Sequence, residues 1–256
     1  MKRPVIAIAI LFLAAAAAFA QSALEIMTVS RNRISADTVS TRARMVITAK
    51  DGSTTERLVD QYTSTAGAVT KTVVIFQKPA SVANTRFLTI STKGKPADQW
   101  IFLPSLGKVR RIAASEGSAS FMGTDLSYDD LSSADRDVEL DNYAILKEES
   151  LAGAPCWVIE SKPKDASYQY SRIVAWVEKA THIALKMELY DRKGTLVKLM
   201  EMGGVKEIQG RLTPTVTKMT SVQAKTSTTI TMDILKYDDP IPAGVFTERF
   251  LLTGKP

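Results

Sequence analysis

Few residues in this chain are of a type that makes or breaks bonds. Its 256 residues include one histidine, His182, within Lys179-Ala180-Thr181-His182, and one cysteine, Cys156. A Ser-His-Asp or Cys-His arrangement needs a histidine touching both a nucleophile and an orienting group. A zinc centre needs several His, Cys or carboxylate ligands brought together. A lone histidine in a hairpin connection serves neither purpose and reads as a surface residue. Cys156 lies in Ala154-Pro155-Cys156-Trp157-Val158-Ile159, a strand pattern in which the thiol acts as a small buried hydrophobe. Asp129-Asp130 supplies two carboxylates, but adjacent side chains point apart, and a helix start or a solvated loop accounts for both acids. No glycine loop of the phosphate-cradling kind occurs. The inventory predicts no enzyme, no cofactor and no metal site.

The elements that would position any site are mostly strands. Ala43, Met45, Ile47 and Ala49 alternate with polar residues, the period-2 signature of a half-buried strand. Asp51-Gly52 then supplies hairpin turn chemistry, with a partner strand over Thr54–Tyr62. Further strands are expected over Lys71–Gln77, Asn84–Ser91, Gln99–Leu103, Tyr143–Ser150, Cys156–Lys162, Arg172–Glu178, Ile183–Leu189, Leu196–Met202, Arg211–Gln223 and Lys225–Leu235. Leu24, Met27 and Ile34 space an amphipathic helix over Ala23–Ile34, and Phe246 and Phe250 mark a short helical turn near the end. About ten strands with short connections predict antiparallel neighbours in one domain.

One stretch departs from this rhythm. From Trp100 an apolar strand stops at Pro104, a basic strand follows, and a Gly/Ser/Ala-rich loop leads into an acidic and aromatic segment ending at Leu131. A long loop presenting Phe121, Met122 and Tyr128 between charged ends reads as the rim of a binding site.

Lys2 and Arg3, the apolar run Val5–Ala18 and Ala18-Phe19-Ala20 before Gln21 form the three parts of a cleaved secretory signal peptide over residues 1–20. The apolar run falls short of the roughly 20 residues needed to span a bilayer, and no lipid-attachment cysteine follows it. A single domain over 21–256 is expected in the periplasm, monomeric and without disulfides. The net charge of +6 falls by two when Lys2 and Arg3 leave. The remaining charges are interspersed, which excludes the concentrated basic stripe of a nucleic-acid binder.

Two segments carry a family resemblance. Ile101-Phe102-Leu103-Pro104, Lys108-Val109-Arg110-Arg111-Ile112, Phe121-Met122-Gly123-Thr124-Asp125 and Tyr128-Asp129-Asp130-Leu131 resemble the outer-membrane lipoprotein-sorting, or LolA-like, proteins. Ala175-Trp176-Val177-Glu178-Lys179 through Tyr190-Asp191-Arg192-Lys193-Gly194 is similar to a hairpin of the wider LolA/LolB superfamily. The resemblance implies a mainly β fold: an incomplete, strongly curved antiparallel β-barrel covered by short helices and enclosing an apolar cavity.

It also implies a carrier or binding protein for lipids or lipoprotein acyl chains. The alternative is an envelope regulatory or assembly module of the same fold that binds an inner- or outer-membrane protein, such as an exporter or signalling protein. Candidates to line the apolar site are Met45, Ile47, Phe76, Phe87, Trp100, Phe102, Phe121, Met122, Tyr128, Trp157, Trp176, Leu185, Met187 and Leu189, for each of which ordinary core packing is the competing explanation. Arg110 and Arg111 could hold a head-group phosphate or fasten the loop through Glu116, Asp125 or Asp129. Because consecutive strand residues face opposite sides, only one of the two points inward.

Overall fold

The computed structural model describes residues 21–132 and 136–256; the expected signal segment over 1–20 lies outside the described residues. Helix α1 (Ala23–Asn32) begins at Ser22, whose hydroxyl accepts from the Glu25 N–H while the Glu25 carboxylate accepts from the Ser22 N–H at 2.7 Å. This reciprocal capping box satisfies two otherwise orphaned backbone donors.

Six strands follow: β1 (Thr38–Thr48), β2 (Thr54–Ala66), β3 (Val69–Lys78), β4 (Arg86–Thr92), β5 (Asp98–Leu103) and β6 (Lys108–Arg111). After the short helix α2 (Tyr128–Ser132) come β7 (Asp141–Leu151), β8 (Ala154–Pro163), β9 (Tyr170–Glu178), β10 (Ala184–Asp191), β11 (Leu196–Ile208), β12 (Arg211–Ser221) and β13 (Thr226–Tyr237). Helix α3 (Glu248–Thr253) ends at Gly254, whose φ of 68° suits the left-handed cap and lets its N–H reach the Phe250 carbonyl.

All thirteen strands of the described residues join one antiparallel sheet, ordered β6-β5-β4-β3-β2-β1-β13-β12-β11-β10-β9-β8-β7. Two meanders, β1–β6 and β7–β13, meet where β1 pairs with β13. Turn chemistry sets the hairpins locally. Between β10 and β11, for example, the Asp191 carboxylate accepts from the N–H groups of Lys193 and Thr195 at 2.8 and 2.9 Å, an Asx-type turn.

The expected incomplete, strongly curved barrel does not form. The sheet is open and is neither closed nor strongly curved, and its outer strands β6 and β7 each pair with a single neighbour. The two edges are ill matched for closure. β6 has four residues and carries Lys108, Arg110 and Arg111, whereas β7 has eleven and carries Lys147, Glu148 and Glu149. Short, charged edges oppose strand addition. The inward apolar side chains pack into separate clusters.

Between β6 and β7, the described residues 112–132 and 136–140 cross one face of the sheet. Phe121 and Tyr128 of this crossing segment pack on Met45, Val74, Phe76, Phe87 and Ile101, while α1 packs Ile26 and Met27 on Ile159, Ala175 and Val177. Strand alternation carries Phe102 and Trp100 to the opposite face, where they meet Phe246, Phe250 and Leu251 of the C-terminal segment.

Candidate functional site

The face crossed by the segment between β6 and β7 carries an unusual concentration of methionine. Of nine methionines in the chain, all but Met1 lie on this face or on the elements over it. Register places them in rows, since directly opposed strand residues share a face. Met187 of β10 opposes Met200 of β11, and Met200 opposes Met219 of β12. Thr228 and Ile47 continue that row through β13 and β1. The next row runs Met202, Thr217, Ile230, Met45 and Arg57. Met232 lies opposite Ala43 in the row beyond.

From β10 to β1 the rows span four strand spacings, about 19 Å. Met45 and Met219 are buried, but Met187, Met200, Met202, Ile230 and Met232 are only half-buried. The result is an apolar strip on the sheet face, shared between the ground held by α1 and that held by the crossing segment. Flexible, polarizable thioethers adapt to irregular apolar partners.

The structure divides the predicted apolar residues among several places. Met45, Phe76, Phe87, Phe121 and Tyr128 form one buried cluster, with Ile47 and Met122 packed against it. Trp157 and Met187 pack at the α1 cluster, and Leu189, on the same face as Met187, is buried. Trp100 and Phe102 lie on the opposite face under α3. Trp176 and Leu185 also lie there, packed with Cys156 and Val158. Trp100, Phe102, Trp176 and Leu185 therefore do not share a surface with the methionine strip. Reasoning from sequence missed Met202, Met219 and Met232, whose common face emerges only from the β10–β13 register.

Arg110 of β6 donates to both carboxylate oxygens of Glu116 at 2.7 Å, and Arg111 pairs with Asp98. Three carboxylates fasten the crossing segment. Asp130, buried, accepts from the Ser127 N–H at 2.8 Å, the Tyr170 hydroxyl at 2.8 Å and Lys198 Nζ at 2.6 Å, tying α2 to β9 and β11. Asp125 accepts from the hydroxyls of Thr226 and Thr228 on β13. Glu116 serves β6 through Arg110. Because of burial and the Asp130 contact, the Tyr170 hydroxyl holds its proton far above the usual phenol range.

A cleft of about 880 Å³ opens beside the segment. Its lining is mixed: Ile112, Leu140 and Tyr168 stand beside Lys95, Asp98, Arg111, Asp129, Arg136 and Lys164. Several of these charges are already engaged: Arg111 by Asp98, Arg136 by Asp141, and Lys164 by the Glu139 carbonyl. Burial, then the neighbouring Asp130 charge, holds the Asp129 carboxyl above the usual carboxylate range. Among the described residues no group of three or more His, Cys, Asp or Glu is placed to hold a metal ion. Nor is any described helix long and apolar enough to cross a membrane.

A family model described as "-like: Uncharacterized protein" matches residues 68–253. No curated protein matches the chain. Among solved structures, a DUF1329 family protein from Desulfovibrio piger is 29% identical with a TM-score of 0.86, over 90% of this chain and 97% of that one. An outer-membrane lipoprotein-sorting protein domain from Vibrio parahaemolyticus is also 29% identical, with a TM-score of 0.84 over 90% and 98%. A LolA superfamily protein from Nitrosomonas europaea shares the fold at 19% identity, with a TM-score of 0.72 over 90% and 100%.

Proposed function

The chain belongs to the family whose model spans residues 68–253, and from that premise we propose that it is a non-enzymatic periplasmic carrier or binding protein for lipids or lipoprotein acyl chains. The observation that carries this reading is the set of methionine rows, in which Met187, Met200, Met202 and Met232 are half-buried on a sheet face otherwise covered by α1 and the crossing segment. An acyl chain laid on the strip would gain about 0.8 kcal/mol per methylene taken from water. The fold likeness to a lipoprotein-sorting protein domain supports the same assignment. Residues 1–20 would be removed as a secretory signal, leaving the domain over 21–256 in the periplasm.

Native mass spectrometry of the protein purified from the cell envelope tests the reading. Lipid is expected to co-purify, and the double variant Met200→Ala, Met202→Ala should bind a fluorescent fatty acid at least about tenfold more weakly. Lipid-free recovery together with no uptake of added fatty acid would refute it.

A further inference from the structure

The second methionine row ends in a charge. Arg57 of β2 opposes Met45 across the strand pair and so continues the line of Met202, Thr217 and Ile230. Its guanidinium lies over the Phe76 ring at 5.7 Å, and one nitrogen, Nη1, donates to the Met122 carbonyl at 2.7 Å. Its Nε is buried with no partner, and no carboxylate among the described residues pairs with it.

That situation contrasts with the other arginines of the sheet. Arg42 is engaged by Asp60, Arg44 by Asp233, Arg172 by Glu160 and Arg211 by Asp238. Arg86, also without a carboxylate, lies on the opposite face, where it donates to the Leu251 carbonyl at the end of α3 and stacks over Phe102. Asp125, which covers the neighbouring row at Thr228, is held by the hydroxyls of Thr226 and Thr228. Burying part of a cation without an anion is costly, and a guanidinium has five N–H donors in a planar fork. At Arg57 most of them remain to be used, at one end of an apolar strip.

Building on the carrier reading, we propose that Arg57 recognises the single anionic head group, carboxylate or phosphate, of an amphiphile whose chain lies along the methionine rows. The planar fork suits either oxyanion. Head and chain would then be read by residues of one row, Arg57 at the head and Ile230, Thr217 and Met202 along the chain, with Met45 between them buried in the aromatic cluster. This gives the site a preference by charge that apolar packing alone would lack.

The test uses the full mature chain and four ligands displacing the neutral probe Nile red: oleate, oleyl alcohol, lysophosphatidate and monoolein. Oleate or lysophosphatidate, or both, should bind at least about tenfold tighter than the neutral ligand of the same chain, the range of a charge-assisted hydrogen bond. Which of them does so identifies carboxylate or phosphate as the group read. Arg57→Gln should abolish the preference, weakening the favoured anionic ligand at least about tenfold more than its neutral counterpart, and a native-like thermal unfolding transition verifies the fold of the variant. Arg86→Gln should alter nothing. Equal binding of charged and neutral ligands by the native protein would overturn the inference and leave the carrier reading standing. A uniform loss for all four ligands in Arg57→Gln would also overturn it, since Arg57 would then only fasten Met122. No binding of any ligand by the native protein would overturn the carrier reading and this inference together.

Discussion

The two ends of one sheet face are packed on different principles. Over β1–β5, Phe76, Phe87, Phe121 and Tyr128 lock together with ring centroids 5.0 to 5.7 Å apart, and Phe121 is fully buried. Over β10–β13 the same face offers methionines, several of them half-buried. Aromatic rings have few rotatable bonds and preferred mutual angles, so they fix the crossing segment in one place. Thioethers give shape adaptability and specify little. The first region therefore holds the protein's own chain in one arrangement, and the second leaves adaptable apolar side chains partly uncovered.

Substitutions at the two ends should separate these roles. Phe121→Ala is expected to cost about 3–5 kcal/mol, as for other buried phenylalanines, whereas Met200→Ala at a half-buried site should cost about 1 kcal/mol or less. Urea unfolding of both variants measures the difference, and equal costs would erase the distinction. Asp130→Asn comes next. It leaves Lys198 near a neutral amide in a buried network, where breaking a charge pair costs about 3 kcal/mol. Thermal unfolding should show this loss. Because Asp130 ties the segment to β9 and β11, limited proteolysis should also cut sooner within residues 112–140. Unchanged proteolysis would mean that the aromatic end alone holds the segment down.

How much of this could be read beforehand depends on range. Alternation at Met45, Ile47, Met187 and Leu189 marks strands because neighbouring residues decide it. The helical turn at Phe246 and Phe250 is visible for the same reason. Parity along a strand, however, does not say which face is which. Only the pairing of β5 with β4 and β6 puts Phe102 under α3 while Ile101 joins Phe121. The methionine rows lie deeper still. They require the β1–β13 pairing, in which Val39 meets Tyr237, and no local pattern encodes so distant a partner. The barrel expectation came from resemblance, and the short, charged β6 shows why closure does not follow from a long meander. The lone acceptor of Arg57 was equally hidden, because it depends on where Met122 sits in the folded chain.

The smallest expected effect refines the comparison at the point where the segment meets the cleft. The Asp129 carboxyl lies directly over Gly117, where a Cβ would collide with it. Burial is the main cause that raises its proton affinity, and the charge of Asp130 adds to it. A carboxyl with a raised affinity in the fold favours the native state while it is protonated. That contribution is full below the unfolded carboxyl value and is lost as pH rises through the folded one. At neutral pH the ionised group therefore opposes folding, although the N-terminus of α2 offsets part of this. Asp129→Asn removes the charge at nearly constant shape. It should stabilise the protein at pH 7, by on the order of a few tenths of a kcal/mol after solvent screening. Acidification should close the gap between variant and native protein as native Asp129 takes up its proton. Thermal unfolding of the pair from pH 7 down to pH 3 reads this directly. A gap that persists at pH 3 would assign the gain to the amide's own contacts and remove charge repulsion as the cause.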